Sequence, residues 1–526
     1  MCWRGVRRPE RLFSFTRFPR RRPASSRPRL LLALALVAAA AVAVAVADAP
    51  QLGAEALELG DENSWIRIQN VGVRPATIDI SFYDIDGSEV STDGCPRADH
   101  CVELPSGFGW SFFQQGFEGL SEGYRGSAFV TVDQPFVSLL ARDVFKDGEF
   151  QIAGDALRLG TGSSTQYAPL VQNTSTYVSR ISVENGSDES DACIEISYYH
   201  EDALQPAAVD PPGPTPGCPI GGTLVAARAT LLRDEQSIPV PAGFDGSAVV
   251  RIYATASGVA AEEQSLTMVV DTRDRTAPGL ATYRAFDGLE LSRVVVLPIA
   301  DRNASEGQST WTTRFRIMNG DPGAPNEVTL LFEGQNEDGD RMEIEHTVTV
   351  LSSLTCDQAA SGAAACLPAG ETLPPVFFGT VRMQAVEPIA VVAQRRSADG
   401  GLADYRGFTA EEASRQVVLP VLNKNFGPWG DARGWNSWFR VLTFDGSVAH
   451  VRVVYYSDEF PRGLFSQPLA VDRQRTIRQW EDRNLPDGWV GSAIVVADRP
   501  VVVVANLESD VFEGDPVMLY NGVSLE

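Results

Sequence analysis

The sequence predicts an all-β protein in which four β-sandwich modules follow one another along the chain. One phrase recurs, namely glycine, an aromatic residue, any residue and then Gly-Ser-Ala before an apolar run; its Gly-Ser-Ala begins at Gly126, Gly246 and Gly491. A diverged copy stands at Gly379, so the spacings are 120, 133 and 112 residues. This period fits one small domain rather than one turn of a solenoid. Short alternating runs bounded by turn residues, with almost no helical periodicity, favour a β-sandwich.

Residues 1–47 are predicted to be an export signal outside the fold. An arginine-rich stretch runs to Arg29, and the 18 residues 30–47 that follow are apolar and end in small side chains. Signal peptidase accepts such an exit, so cleavage is expected before Asp48. The alternative is a retained anchor, because 18 apolar residues are just long enough to span a bilayer.

The charge of the mature chain argues against some partners. The full sequence has 44 basic and 68 acidic side chains; ten arginines and one glutamate leave with the leader, so the remainder carries 34 against 67, a net charge of −33. Such a surface repels nucleic acid. We expect a soluble protein outside the cell or at its surface, with no stable membrane insertion after cleavage.

The first strands of each module are predicted from alternation of apolar and polar residues. An early strand in each module ends at asparagine or a turn, and a second alternating strand follows a short turn. The early strands cover residues 65–70, 177–185, 311–319 and the run from Trp438; the second strands cover 76–83, 193–199, 328–332 and 451–456.

The recurring phrase is predicted to open a late strand in each module. Its glycines and small residues suit a tight entry into a buried strand, with the aromatic residue filling the core. A proline turn that reverses the chain and another apolar strand are expected next. Modules two to four then close at Tyr283, Tyr405 and Tyr520, as they open at apolar runs near Tyr167, Val295 and Val417.

The opening and closing runs set the module boundaries at residues 48–160, 161–292, 293–414 and 415–526. The linkers between them are short, which predicts a semi-rigid rod.

Six cysteines remain after the leader is removed, in three local pairs. The pairs are Cys95 with Cys101, Cys193 with Cys218, and Cys356 with Cys366. An even count, local pairing and export together predict three disulfides, each inside one module. Zinc is the alternative, but no pair has Cys-x-x-Cys spacing or a nearby set of histidines.

Aromatic residues are the candidate ligand contacts. Trp110 and Phe112 lie in an insertion of the first module, and Trp429 lies in a loop of the last. Exposed aromatic rings stack on sugars or on partner proteins. Burial in the core is the favoured interpretation, because aromatic side chains remove large areas from water.

Two acidic segments resemble parts of calcium-binding loops. Asp84 and Asp86 precede one glycine, and Asp338 and Asp340 flank another. Calcium needs six or more oxygen ligands, and the twelve-residue loop with its final glutamate is missing. Asp-Gly is also a strong hairpin signal, so turns are favoured over metal sites and no metal or other cofactor is predicted.

No group of residues predicts catalysis. The Gly-x-Ser-x-Gly pattern at Ser121 leads into a strand, whereas a nucleophile elbow leads into a helix. The four histidines, His100, His200, His346 and His450, have no metal-binding or triad spacing. We therefore expect that the protein is not an enzyme.

The chain resembles uncharacterised secreted bacterial proteins built of tandem immunoglobulin-like repeats. The resemblance lies in the proline-containing openings, the Arg-Ile strand, the Gly-Ser-Ala phrase and the closing tyrosines. The resemblance covers nearly all of the mature chain and implies fold and export rather than an activity. We expect a structural or adhesion role at the cell surface or in the extracellular matrix, with an unknown surface protein or glycan as partner. The alternative is a carbohydrate-binding protein that uses its loop aromatics.

Overall fold

A computed structural model describes residues 61–90, 103–117, 119–146, 149–158, 162–256, 264–305, 309–427 and 434–525. The regular structure of these residues is almost entirely β-strand, which confirms the predicted all-β class. Three short 3₁₀ helices are described, at Gln114–Gly116, Gly362–Ala365 and Gln479–Glu481. The strands fall into successive groups along the chain, which we call strand groups 1 to 4.

Strand group 1 forms two small sheets, with strand orders β4-β1-β6-β7 and β3-β2-β5. Its strands are β1 (Asp61–Asn70), β2 (Ile78–Asp84), β3 (Glu89–Val90), β4 (Gly109–Phe113), β5 (Gly126–Val132), β6 (Phe136–Lys146) and β7 (Glu149–Arg158).

Strand group 2 is one hydrogen-bonded set with the central order β11-β10-β14-β8-β9-β15-β16. Its strands are β8 (Thr165–Asn173), β9 (Tyr177–Asn185), β10 (Ala192–His200), β11 (Ala208–Asp210), β12 (Thr223–Val225), β13 (Thr230–Arg233), β14 (Phe244–Tyr253), β15 (Leu266–Asp274), β16 (Leu280–Arg284) and β17 (Phe286–Asp287).

Strand groups 3 and 4 share the same central strand pairings, in which β24 and β33 occupy matching places. Group 3 contains β18 (Ser292–Leu297), β19 (Ala304–Ser305), β20 (Thr310–Asn319), β21 (Asn326–Asn336), β22 (Arg341–Val350), β23 (Ser353–Asp357), β24 (Phe377–Ser397), β25 (Leu402–Arg406) and β26 (Phe408–Thr409). Group 4 contains β27 (Ser414–Lys424), β28 (Trp435–Thr443), β29 (Val448–Tyr456), β30 (Leu464–Phe465), β31 (Leu469–Asp472), β32 (Gln474–Arg478), β33 (Trp489–Ser509), β34 (Val517–Asn521) and β35 (Val523–Ser524).

The predicted early and second strands are present in every group, as β1, β9, β20 and β28 and as β2, β10, β21 and β29. The proline prediction was wrong in groups 3 and 4, where β24 and β33 continue through Pro388 and Pro500. The chain does not reverse there. The first half of β24 pairs with β18 and β21, and its second half pairs with β20 and β25. The strand therefore passes from one set of partners to another at the proline.

The hydrophobic cores extend from each group into the next. Met318 and Val392 of group 3 belong to the core of group 2, and Trp438 of group 4 belongs to the core of group 3. Trp65 and Leu139 of group 1 belong to the core of group 4, so the first and last groups share buried apolar surface.

The closing strands contact one another in a closed cycle. β7 packs against β16, β16 against β25, β25 against β34, and β34 against β7. β16 and β25 are buried at every residue because they are covered on all sides. The predicted rod is therefore wrong: group 1 lies against group 4, and the short linkers fold the chain back on itself. Within the described residues, no helix has the length and apolar character needed to cross a bilayer.

Candidate functional site

The two candidate aromatic contacts in the described residues, Trp110 and Phe112, do not form an exposed platform. Phe112 is buried with 2% of its surface exposed, in a core cluster that Trp110 packs against. The neighbouring Phe113 is half exposed and its ring lies 5.9 Å from that of Trp65. Trp429 lies outside the described residues. The core interpretation fits Phe112, which is covered on all sides.

The two acidic segments form hairpin turns. Asp84 precedes Gly87, whose φ of 86° suits glycine, and the Asp86 carboxylate accepts the Ser88 amide at 2.9 Å. In the second turn the Asp340 amide donates to the Asn336 side chain at 2.8 Å. Asp338 lies at the exposed tip of this turn. No group of three or more metal-ligating side chains occurs within the described part of the chain.

Two of the three predicted disulfides are present. Cys193 is bonded to Cys218 and Cys356 to Cys366. Cys95 and Cys101 lie outside the described residues. Each observed bond closes a local loop inside one strand group, as the spacing predicted.

The first glycine of the Gly-Ser-Ala phrase lies close to the backbone of a neighbouring strand. A Cβ atom at Gly246 would lie 2.1 Å from the carbonyl oxygen of Tyr199, and one at Gly491 would lie 2.3 Å from that of Tyr456. Phe244 and Trp489 of the phrase are buried as predicted. In the first copy the prediction was wrong, because Tyr124 is only half-buried and β5 has no buried residue. The phrase therefore needs glycine because the paired strand passes directly over it.

The phrase has a second role that the sequence did not reveal. Buried arginines stand at matching positions of β1, β20 and β28, namely Arg67, Arg316 and Arg440. Arg316 and Arg440 reach into the group that precedes theirs in the sequence, and Arg67 of group 1 reaches into group 4. Arg316 donates to the carbonyl oxygen of Gly246 at 2.5 Å, and Arg67 to that of Gly491 at 3.3 Å. An arginine in a run of buried residues was the available signal, because such a charge needs a buried partner.

We call the contact surface between two groups a joint. The joint between groups 2 and 3 is rich in carboxylates. Arg316 donates to Glu201 at 2.7 Å and to Asp245 at 2.6 Å, and Arg314 also binds Asp245 at 2.6 Å. Burial raises the pKa of Asp245, but the two guanidinium groups outweigh it and hold that pKa below its usual value. Thr355 completes the site by accepting from Arg316 at 2.8 Å.

The joint between groups 3 and 4 is built differently. Arg440 binds Asp301, which is fully buried, at 3.1 Å and the carbonyl oxygen of Pro298 at 3.2 Å. Arg440 also lines a cavity of about 360 Å³. Its lining includes Gln335, Phe378, Arg440, Gln474, Arg475 and Arg478.

The two remaining joints use other contacts. Between groups 4 and 1, Arg67 donates to the carbonyl oxygen of Pro420 at 2.8 Å, and burial lowers the pKa of Arg67 to about 10. Between groups 1 and 2, the buried Asp271 accepts from Arg180 at 2.8 Å and pairs with Arg142 at 3.1 Å. All four joints are therefore held by arginine.

Some carboxyl groups have strongly shifted pKa values. Burial raises the pKa of Asp143 to about 7, and the Trp65 indole, which donates to it at 3.3 Å, only partly opposes this shift. Burial also raises the pKa of Glu184 to about 7. Glu290 is the opposite case: burial raises its pKa, but Arg406 and Arg284 outweigh this and lower it to about 2.

Comparison with known proteins adds little. No family model and no curated protein matches this chain. A solved structure described as the crystal structure of a tetra-tandem repeat in the extending region of a large adhesion protein is similar at 12% identity, over 87% of this chain and 93% of that one, with a TM-score of 0.09. At that TM-score the likeness supports no argument about function.

Proposed function

We propose that this protein is an exported, non-enzymatic scaffold of four immunoglobulin-like β-sandwich modules, with a structural or adhesion role at the cell surface or in the extracellular matrix. The modules correspond to the predicted ranges 48–160, 161–292, 293–414 and 415–526. The observation that carries the proposal is the set of arginine joints. The polar residues that recur between groups, such as Arg67, Arg316 and Arg440, hold one group to another.

A scaffold of this kind benefits from rigid joints. Arg67, Arg316 and Arg440 each bind a backbone carbonyl oxygen of a neighbouring group, and Arg316 and Arg440 also bind carboxylates there. These hydrogen bonds fix the angle between the groups. The apolar cores that continue across the joints add to this rigidity. Loops that differ between groups are thereby presented in fixed positions, as a structural or adhesion protein requires.

Export and display can be tested together. The full chain with a C-terminal epitope tag is expressed in a bacterial host, and N-terminal sequencing of the product is expected to begin at Asp48. Antibody labelling of intact cells or of the culture medium is expected to detect the tag. A matched variant lacking residues 30–47 should stay inside the cell. Retention of the full-length chain in the cytoplasm would contradict the proposed export.

The alternative, carbohydrate binding by loop aromatics, rests on Trp110 and Trp429, since Phe112 is buried. It predicts glycan-array binding that Trp110→Ala or Trp429→Ala abolishes. A failure of the wild-type protein to bind any glycan would exclude this alternative and leave the scaffold proposal standing.

A further inference from the structure

We propose that two copies of this chain pair along the free edge of β22, in an antiparallel register centred on His346. The proposal goes beyond the scaffold role and does not depend on where the protein is located. It rests on the length of this edge strand, on its unbonded outer side and on the order of its side chains.

β22 is the outermost strand of its sheet. It pairs with β21 from Arg341 to Val350 without any shift of register, and with no other strand of the described residues. Within the same residues, the structure shows no hydrogen bond from the backbone of β22 to the backbone of any other segment. Alternate residues therefore direct their N–H and C=O groups away from β21, and such an edge is a template for another strand.

At the matching place in groups 2 and 4 the outer strands are short. β22 has ten residues, whereas β11 and β12 beside β10 have three each, and β30 and β31 beside β29 have two and four. Short edges give another chain few backbone groups to pair with. β22 also contains no proline or glycine that would interrupt a ladder. Group 3 therefore presents a long, regular edge where groups 2 and 4 present short ones.

The two faces of β22 determine what kind of strand can pair with it. Met342, Ile344 and Val348 are half-buried and pack against the core of group 3, while the alternate residues 343, 345, 347 and 349 are exposed. A paired strand continues both faces, so it needs apolar and polar side chains in the same alternation. A second copy of β22 has this alternation.

The charges of β22 decide between the registers in which it can pair with itself. Two antiparallel copies related by a two-fold axis place one residue directly opposite its own copy. If that residue is Glu345, two carboxylates face each other, and if it is Ile344, Glu343 faces Glu345 on both sides of the axis. Like charges directly opposite each other destabilise a sheet. A shift of the axis to Thr347 or further shortens the paired stretch.

With His346 at the axis, residues 342–350 of the two copies pair and no carboxylates face each other. Glu345 lies opposite Thr347, and Ile344 lies opposite Val348, so polar side chains meet polar ones and apolar side chains meet apolar ones. The two imidazoles can share a hydrogen bond, since a neutral ring has one donor and one acceptor nitrogen. The side chains of β22 therefore favour this register.

The pairing closes on itself. Each copy contributes the same edge, so the two-fold axis uses the free side of β22 in both copies and leaves none for a third. Arg341, which forms an exposed ion pair with Asp472 of group 4 at 3.0 Å, lies outside the paired residues. A dimer is therefore expected rather than a filament.

The direct test is sedimentation velocity of the mature chain over a range of concentrations, in which we expect a concentration-dependent dimer. Thr347→Glu places a carboxylate opposite Glu345 of the second copy on both sides of the axis and should raise the dimer dissociation constant by about two- to tenfold. Thr347→Arg places a guanidinium group there and should lower that constant by about the same factor. Gln236→Glu, in an exposed turn of group 2, is the charge-matched control and should dimerise like the wild type.

Engineered cysteines test the register itself. His346→Cys places two thiols opposite each other at the axis, within the distance that a disulfide spans, and mild oxidation should give a covalent dimer on non-reducing gels. Thr347→Cys is the control, because its own copy lies diagonally across the paired strands, too far away for a disulfide. It should not cross-link.

Three results would overturn the proposal: a wild-type chain that stays monomeric at its highest soluble concentration, equal dimerisation of Thr347→Glu and the wild type, or cross-linking of Thr347→Cys as readily as of His346→Cys. Near-ultraviolet circular dichroism checks that the variants are folded, and Thr347→Arg guards against misfolding because it is expected to strengthen the dimer. Export and display are measured separately, so failure here leaves the scaffold proposal untouched.

Discussion

The buried carboxyl group of Asp143 makes a contribution to the stability of this protein that falls as the pH rises. Its folded pKa is about 7, raised by burial from an ordinary value near 3.8. Between these two values the folded state holds a proton that the unfolded state has released. Stability therefore falls as the pH rises from about 4 to 7, which is opposite to the behaviour of a carboxylate in an ion pair.

The variant Asp143→Asn removes this decrease of folding stability with rising pH. We expect it to raise the free energy of unfolding at pH 8 by roughly 2–4 kcal/mol, since one pKa unit corresponds to about 1.4 kcal/mol. The amide oxygen can still accept from the Trp65 indole, as the carboxylate does at 3.3 Å. Urea unfolding of both proteins at pH 4 and pH 8 measures the effect. A gain of equal size at both pH values would contradict the assigned cause.

Among the strand elements, the closing strands fix the opening strands through one hydroxyl group each. Tyr405 of β25 donates to the carbonyl oxygen of Ile299 at 2.6 Å and accepts from its amide at 3.1 Å. Tyr283 makes the same pair of bonds with Leu170, and Tyr520 donates to Val421 at 2.6 Å. The tyrosines that the sequence analysis placed at the module ends are therefore hydrogen-bonded to the backbone near the start of the same group, in each of groups 2 to 4.

Tyr405→Phe is expected to lower the free energy of unfolding by about 1–3 kcal/mol, because it leaves a buried amide and carbonyl group without their partner. The control is Tyr456→Phe: that side chain is only partly buried, and its change should stay within about 0.5 kcal/mol. Denaturant titration followed by tryptophan fluorescence measures both. An equal change in the free energy of unfolding in the two variants would show that the hydroxyl of Tyr405 does not stabilise the contact between the strands.

The sequence predicted the elements better than their assembly. Alternation located the early strands, and the phrase marked the tight entry at Gly246 and Gly491, because these patterns depend on neighbours close in sequence. The continuous strands through Pro388 and Pro500 were missed, since a proline turn and a strand that changes sheets have the same local composition. The contacts of Arg67, Arg316 and Arg440 across the joints were missed because their partners come close only when two groups pack together.

At the scale of the whole molecule, the cycle of groups depends on a joint that no linker enforces. Groups 1 and 4 are distant in sequence, yet Arg67 binds the carbonyl oxygen of Pro420, and Ser492 binds that of Gly107 at 2.8 Å. The other joints connect groups that follow each other along the chain. The joint between groups 4 and 1 therefore forms only if the other three joints hold their angles, so that group 4 comes to lie against group 1.

Weakening that joint should open the cycle without unfolding the groups. We expect Arg67→Ala to raise hydrogen exchange in β1 and β27, measured by mass spectrometry, while β14 and β20 keep wild-type protection. The removed bonds lie between groups 1 and 4 or, in the case of Ser111, inside group 1. The loss of these bonds should cost about 1–3 kcal/mol. The control is Arg293→Ala, whose exposed ion pair with Glu387 lies inside group 3 and should change nothing measurable. The wild-type protein should resist limited proteolysis as one core; release of quarter-sized fragments, or a uniform rise in exchange in Arg67→Ala, would refute the closed cycle.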